Sequence, residues 1–187
     1  LFVMELVEGT HYATGNPSSV PTTFRFHAGT NMNTNANIIW QGNTYEKFPI
    51  VAEGFAFEGR GQIPRPNLTM SNLGGITRSG SVITVTDLML LVNLTTPHND
   101  LINAKITRLQ VLASSLDAAN FPNNTNPFGT PNSNELPQEV FFIDRKQSES
   151  RNIVQFELVS RLDQQNKKLP KRQVTRNEFP SVGGFIN

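Results

Sequence analysis

A chain of 187 residues, 37% hydrophobic and with 13 Phe against 2 Tyr and 1 Trp, is long enough to bury one sizeable core anchored by apolar rings. Only 17% of it is charged, and 16 basic residues nearly cancel 15 acidic ones to leave +1, which argues against disorder and gives no electrostatic footprint for nucleic-acid binding as a primary activity. Cysteine is absent, so disulfides, thiolate catalysis and cysteine metal sites are excluded within this chain.

The opening "LFVMELVEG" lacks a basic n-region and reads as a strand; without an initiator Met it points to a missing leader or start. Phe24 and Phe26 share the two-residue period of a half-buried strand, and "GTNMNTNAN" at 29–37 is a polar loop. A hairpin is predicted between Ile38–Trp40 and residues 44–46 across Gln41-Gly42-Asn43, because Gly supplies the positive φ of a tight turn. Phe55 with Phe57, and Leu68 with Met70, continue the alternation. Arg65, between Pro64 and Pro66, sits on a stiffened extended segment suited to docking a partner. Val82, Thr84 and Thr86 alternate with Ile83 and Val85 as a further strand.

Helix signals are scarce. The candidate runs from Thr86 or Asp87 through Val92, with Asp87 as cap and Pro97 as stop. Its "LMLLV" at 88–92 is the longest apolar run, far below the roughly 20 residues that span a bilayer, so no membrane anchor is expected. "NDLINAKITRLQVLASSL" alternates well enough to be read as one long strand. "ANFPNNTNPFGTPNSNELP" at 119–137 is too rich in Pro, Asn and Gly for a ladder and is expected to be an exposed arm reaching toward a neighbouring subunit. "EVFFIDRK" and "RNIVQFELVSRL" form a second hairpin joined by residues 147–150.

Reactive constellations are lacking. His11, His27 and His98 have no partner at metal-ligand spacing and read as surface or rim residues. No Gly-x-Ser-x-Gly elbow occurs. Gly59-Arg60-Gly61 is followed by Pro64 and Pro66 where a phosphate-binding helix would start, and Glu53 and Glu58 are an odd number of residues apart, hence on opposite strand faces. The Asn-x-Thr triplets at Asn67, Asn93 and Asn123 are expected by chance in so Asn-rich a chain.

"WQGNTYEKFPI", "GFAFEGRG" and "RPNLTMSNLGG", in this order and spacing, resemble the N-terminal half of the phage lambda minor tail protein L family. "SSLDAANF", "ELPQEVFFIDRK", "IVQFELVSRLDQQNKKLPKRQ" and "EFPSVGGFIN" extend the likeness over most of the chain. The resemblance implies a non-enzymatic virion protein of the distal tail tip, assembled in the bacterial host cytoplasm. It further implies a homotrimeric ring between the distal tail ring protein and the central fibre hub protein. Such a ring would conduct the tape measure protein and, transiently, DNA. The implied fold is mainly β: one or two linked β-barrel or β-sandwich subdomains related to tail-tube folds, with long loops.

The expected division is a β-rich hub subdomain at 1–118, the arm at 119–137, a hairpin completing the β core at 138–174, and a closing segment at 175–187. Family members carry a cysteine-rich segment, thought to hold an iron–sulfur cluster, before the Gly-Gly-Phe ending; here "LPKRQV" runs straight into "TRNEFPSVGGFIN". A cluster is therefore implied only if a segment is missing between Val174 and Thr175, in which case the native protein is heavier than this chain. Trp40, Tyr45, Phe48, Arg60, Arg65 and Phe185 are the candidate fold-setting or interface residues. The rival reading is a carbohydrate- or receptor-binding β module, which would need Trp40 and Tyr45 exposed together on one concave face.

Overall fold

The computed structural model describes residues 1–15, 22–29, 37–56, 63–78 and 81–163. The fold is mainly β, as the sequence patterning and the resemblance led us to expect. The strands are β1 (Phe2–Glu5), β2 (Thr23–His27), β3 (Ile38–Trp40), β4 (Asn43–Lys47), β5 (Ile50–Glu53), β6 (Asn67–Ser71), β7 (Ile76–Arg78), β8 (Ser81–Ile83), β9 (Lys105–Arg108), β10 (Glu139–Glu149) and β11 (Ile153–Val159), with one helix, α1 (Val85–Thr95), between β8 and β9. Nine strands form one sheet in the order β3-β4-β2-β1-β9-β10-β11-β6-β5, and β7-β8 is a separate hairpin.

The sheet curls because two adjacent residues tie its distant ends together. Phe48 N–H donates to the His27 carbonyl (2.9 Å), continuing the β4 side, and the next carbonyl, of Pro49, accepts from Ser71 N–H of β6 (2.9 Å). The chain thus steps from one end of the sheet to the other, leaving a half-barrel.

Alternation sorts the side chains. Phe2, Met4, Phe24, Phe26, Leu68, Met70, Ile106, Val154 and Phe156 are buried in the main core, where Phe2 stacks on Phe26 with ring centroids 5.8 Å apart. Helix α1 contributes Val85, Leu88, Met89 and Val92 to that core. The other face of β1 presents Leu1 and Val3 to a second cluster built on Trp40, Tyr45 and Leu109.

Several expectations are refined. The first hairpin forms with register Ile38↔Tyr45 and Trp40↔Asn43, so its turn is the pair Gln41-Gly42, both at positive φ (51° and 70°), the geometry of a two-residue hairpin loop. The second hairpin forms too, but β10 runs on through residues 147–149 and turns only at residues 150–152. The alternation at 82–86 is not one strand: β8 stops at Ile83, and Thr84 caps α1. Asp87, expected as the cap, is instead the third helical residue. It accepts from Thr84 N–H (3.1 Å) while Asp87 N–H donates to Thr84 Oγ1 (3.1 Å), a reciprocal capping box.

The predicted long strand at 99–116 is overturned. Only Lys105–Arg108 pairs as strand, because His98, Asp100, Leu101 and Asn103 all adopt positive φ (62°, 48°, 68° and 73°), and the segment before β9 is a chain of tight turns. After it, Ala113–Ser115 and Ala118–Asn120 are single 3-10 turns. Within 119–137, Asn120 and Phe121 are buried against the body, and exposure dominates only from Pro122 onward.

Candidate functional site

Trp40 and Tyr45 are brought together, but inward. They are 5% and 2% exposed and pack with Leu109, which removes the aromatic platform that a sugar-binding reading requires. Phe48 is also buried, edge-on to Phe26 at 6.3 Å. Arg60 and Phe185 lie outside the described residues.

Arg65 is engaged within its own chain. Its guanidinium donates to Glu157 Oε1 (3.1 Å) and to Asp163 Oδ2 (2.7 Å from Nη2), with Asp144 Oδ2 at 3.6 Å. Glu157 is buried and also accepts from Arg145 (2.6 Å) and Gln147 (3.1 Å). The Gln147 hydrogen bond first, then Arg145 and Arg65, hold its carboxyl below the usual range against a contrary effect of burial. This cluster straps the 64–66 segment across β11 and β10, and it fixes where the chain leaves the sheet after β11. Pro64 and Pro66 stiffen the strap, but the group they present is spent on internal carboxylates.

A second polar cluster joins α1 to the sheet. Lys146 of β10 contacts Asp100 (2.8 Å) and Glu149 (2.7 Å); Glu149 accepts from Thr86 Oγ1 (2.8 Å), and Asn93 Nδ2 donates to Asp100 (2.8 Å). Asp100 is one of the residues at positive φ, so these contacts pin the turns that precede β9.

His11 is corrected from a surface to a core position. It is fully buried, with Nδ1 accepting from Val7 N–H (2.8 Å) and Nε2 donating to the Ile102 carbonyl (2.9 Å). Burial pushes its pKa down, and the backbone hydrogen bonds oppose that shift only in part. His27 is buried as well.

An open groove of about 630 Å³ is bordered by Phe2, Ile50, Ala52, Leu109 and Val111, with Arg108 at its side. Arg108 lies over the Phe55 ring at 4.9 Å and is paired with Glu139 at 2.6 Å, so it offers little to an anion. Among the described residues no three His, Asp or Glu side chains converge as metal ligands. With no cysteine anywhere in the sequence, the residues present do not fit an iron–sulfur cluster.

Sequence reasoning missed Asp117, Asn120, Asp144 and Glu157. Glu157 alone left a trace, as a charge inside the otherwise apolar run "FELV".

Among the described residues, the candidate side chains form buried aromatic scaffold and internal polar strapping. Residues 17–182 match the family described as phage minor tail protein L. The chain belongs to that family. It is 32% identical over 94 residues to the tail tip protein L of Escherichia phage lambda, a match covering 50% of this chain and 34% of that relative. As a member of the family it is a structural component of a phage tail.

Proposed function

We propose that this tail protein is a passive adaptor at the distal tip, a homotrimeric ring that joins the distal tail ring protein to the central fibre hub protein. Its lumen conducts the tape measure protein and, during delivery, DNA. The protein is built into the virion in the host cytoplasm and works by shape and contact, with no reaction of its own. The observation that carries this reading is the family match over residues 17–182. The burial of Trp40 and Tyr45 supports it over the carbohydrate-binding alternative, since a sugar platform needs those rings in solvent. A near-neutral, weakly charged surface also suits repeated contacts around a closed ring.

Mass photometry of the purified chain with and without the neighbouring hub protein tests it. Trimers, alone or on the hub, are expected; a lone monomer under both conditions contradicts the ring.

A further inference from the structure

The residues before β9 are held against their own backbone preference. His98, Asp100, Leu101 and Asn103 all have positive φ, and Leu101 is fully buried at φ 68°, a conformation disfavoured by a Cβ. Strain of this kind persists only where surrounding contacts over-determine it, and it collects at switch segments. The contacts here are identifiable. Asn103 N–H donates to the Ile143 carbonyl (2.8 Å), Asp100 is gripped by Lys146 and Asn93 (both 2.8 Å), and the Ile102 carbonyl accepts from His11 Nε2 (2.9 Å).

Of these pins the His11 ring is the one that titrates nearest neutrality. His11 lies in a tight bend after β1, closed by Gly9 N–H to the Tyr12 carbonyl and His11 N–H to the Val7 carbonyl (both 2.8 Å), and it is 0% exposed. Both ring nitrogens face backbone groups whose roles are fixed. A carbonyl can only accept, so Nε2 toward Ile102 carries the proton; Val7 N–H, 2.8 Å from Nδ1, can only donate, so Nδ1 is bare. The neutral ring suits both partners at once. A second proton has to go on Nδ1, which turns an acceptor into a donor aimed at another donor.

No counter-charge offsets this. Among the described residues no carboxylate bonds to the ring. The charged groups of the elements packed around it are engaged elsewhere or exposed: Glu8 of the same bend accepts from Gly15 N–H (3.0 Å), Asp100 holds Lys146 and Asn93, and His98 is exposed. The end of α1 brings Thr96, whose hydroxyl donates to the Thr10 carbonyl (2.7 Å).

We propose that His11 is a pH-operated clasp: protonation of Nδ1 expels Val7 N–H, and the bend at residues 7–12 parts from the strained turns at 98–103 while the sheet stays folded. One proton is taken from solvent and no covalent bond changes. Burial sets the step on the acid side of neutrality. Carboxylates such as Asp100 stay charged through that window, so the turns lose the His11 pin first.

Residue-resolved amide exchange of the full chain, corrected for the intrinsic rate at each pH, tests this. Lowering the pH from about 7.5 to about 5 should speed exchange at Val7, Gly9 and Ile102 by at least about tenfold. Ser71 and Leu158, whose N–H groups bond the Pro49 and Pro66 carbonyls, should change little. The step should share its midpoint with the His11 ring titration followed by NMR. It should remain in His98→Asn and vanish in His11→Gln, whose amide offers one acceptor and one donor without titrating. If His11→Gln does not fold, the shared midpoint in the parent chain decides. Exchange that ignores pH, a rise shared equally by Ser71 and Leu158, a midpoint that follows His98, or a step that survives His11→Gln overturns the proposal.

Discussion

Asn120 takes the place of a neighbouring strand for Ile39. Its side-chain oxygen accepts from Ile39 N–H (2.7 Å) and its amide donates to the Ile39 carbonyl, so one side chain satisfies both backbone groups on the open side of β3. The same stretch sends the Asp117 carboxylate to Gln41 and Gly42 N–H at 3.0 and 2.8 Å, holding the hairpin turn. An edge strand blunted in this way cannot template pairing with another chain. Asn120→Ala leaves the half-buried Ile39 N–H without its partner and the Ile39 carbonyl with only the longer bond from Asp117 N–H (3.3 Å), and should cost about 1–3 kcal/mol by urea denaturation, with increased self-association. Unchanged stability and unchanged association would contradict the role given to Asn120.

Glu157 is the acceptor on which the Arg65 strap depends. Its carboxyl is held low in the folded state, so the stability it contributes is present above the ordinary carboxylate pKa and is lost as pH falls through its folded value. Glu149, held low chiefly by Lys146, acts with the same sign. Denaturation midpoints should therefore fall on acidification below about pH 4.5. Glu157→Gln should flatten part of that fall and lower stability at pH 7 by about 1–3 kcal/mol, since Arg65 and Arg145 lose a buried anionic partner. An acid profile identical in the variant would show that the strap does not contribute.

His11 gives a dependence of the same sign, in a higher pH window. Its folded pKa lies below the unfolded value near 6.5, so below that pH the unfolded chain binds the extra proton and stability declines. The decline stops once pH passes below the folded pKa. His11→Gln should reduce the slope of stability between pH 7.5 and 5.5 relative to the parent chain. A parallel slope would place His11 in solvent.

The turns before β9 store backbone strain. His98 is exposed and sits at φ 62°, where a Cβ is disfavoured by about 1 kcal/mol. His98→Gly should raise the thermal midpoint by a few degrees. A lower midpoint would mean that the His98 side chain contributes more than its backbone costs.

What the sequence made legible follows from how local each cause is. The hairpin at Gln41-Gly42 and the aromatic strands could be read because a glycine turn and a period of two act within a few residues. The capping box of α1 was half visible, since Asp87 was recognised but Thr84 was absorbed into a strand pattern that continues smoothly from β8. The turns at residues 98–103 were not legible: Leu101 has no intrinsic preference for positive φ, and it is held there by its own burial and by the contacts of its neighbours, Asp100 with Lys146 and Asn93 and the Ile102 carbonyl with His11. Arg65 is the same case. Proline on both sides announced a rigid segment, but Glu157 and Asp163, 92 and 98 residues away, decide what its guanidinium does. The inward fate of Trp40 and Tyr45 depends on β1 and Leu109, which no local pattern could supply.

The central claim, that this chain is a ring-forming structural part of the tail tip, is tested most directly by cryo-electron microscopy of particles assembled with it. The account predicts density for the nine-stranded half-barrel in several copies, arranged as a closed ring around the tail axis at the distal end. Complete tail tips lacking this chain, or its presence as a single peripheral copy away from the axis, would contradict it.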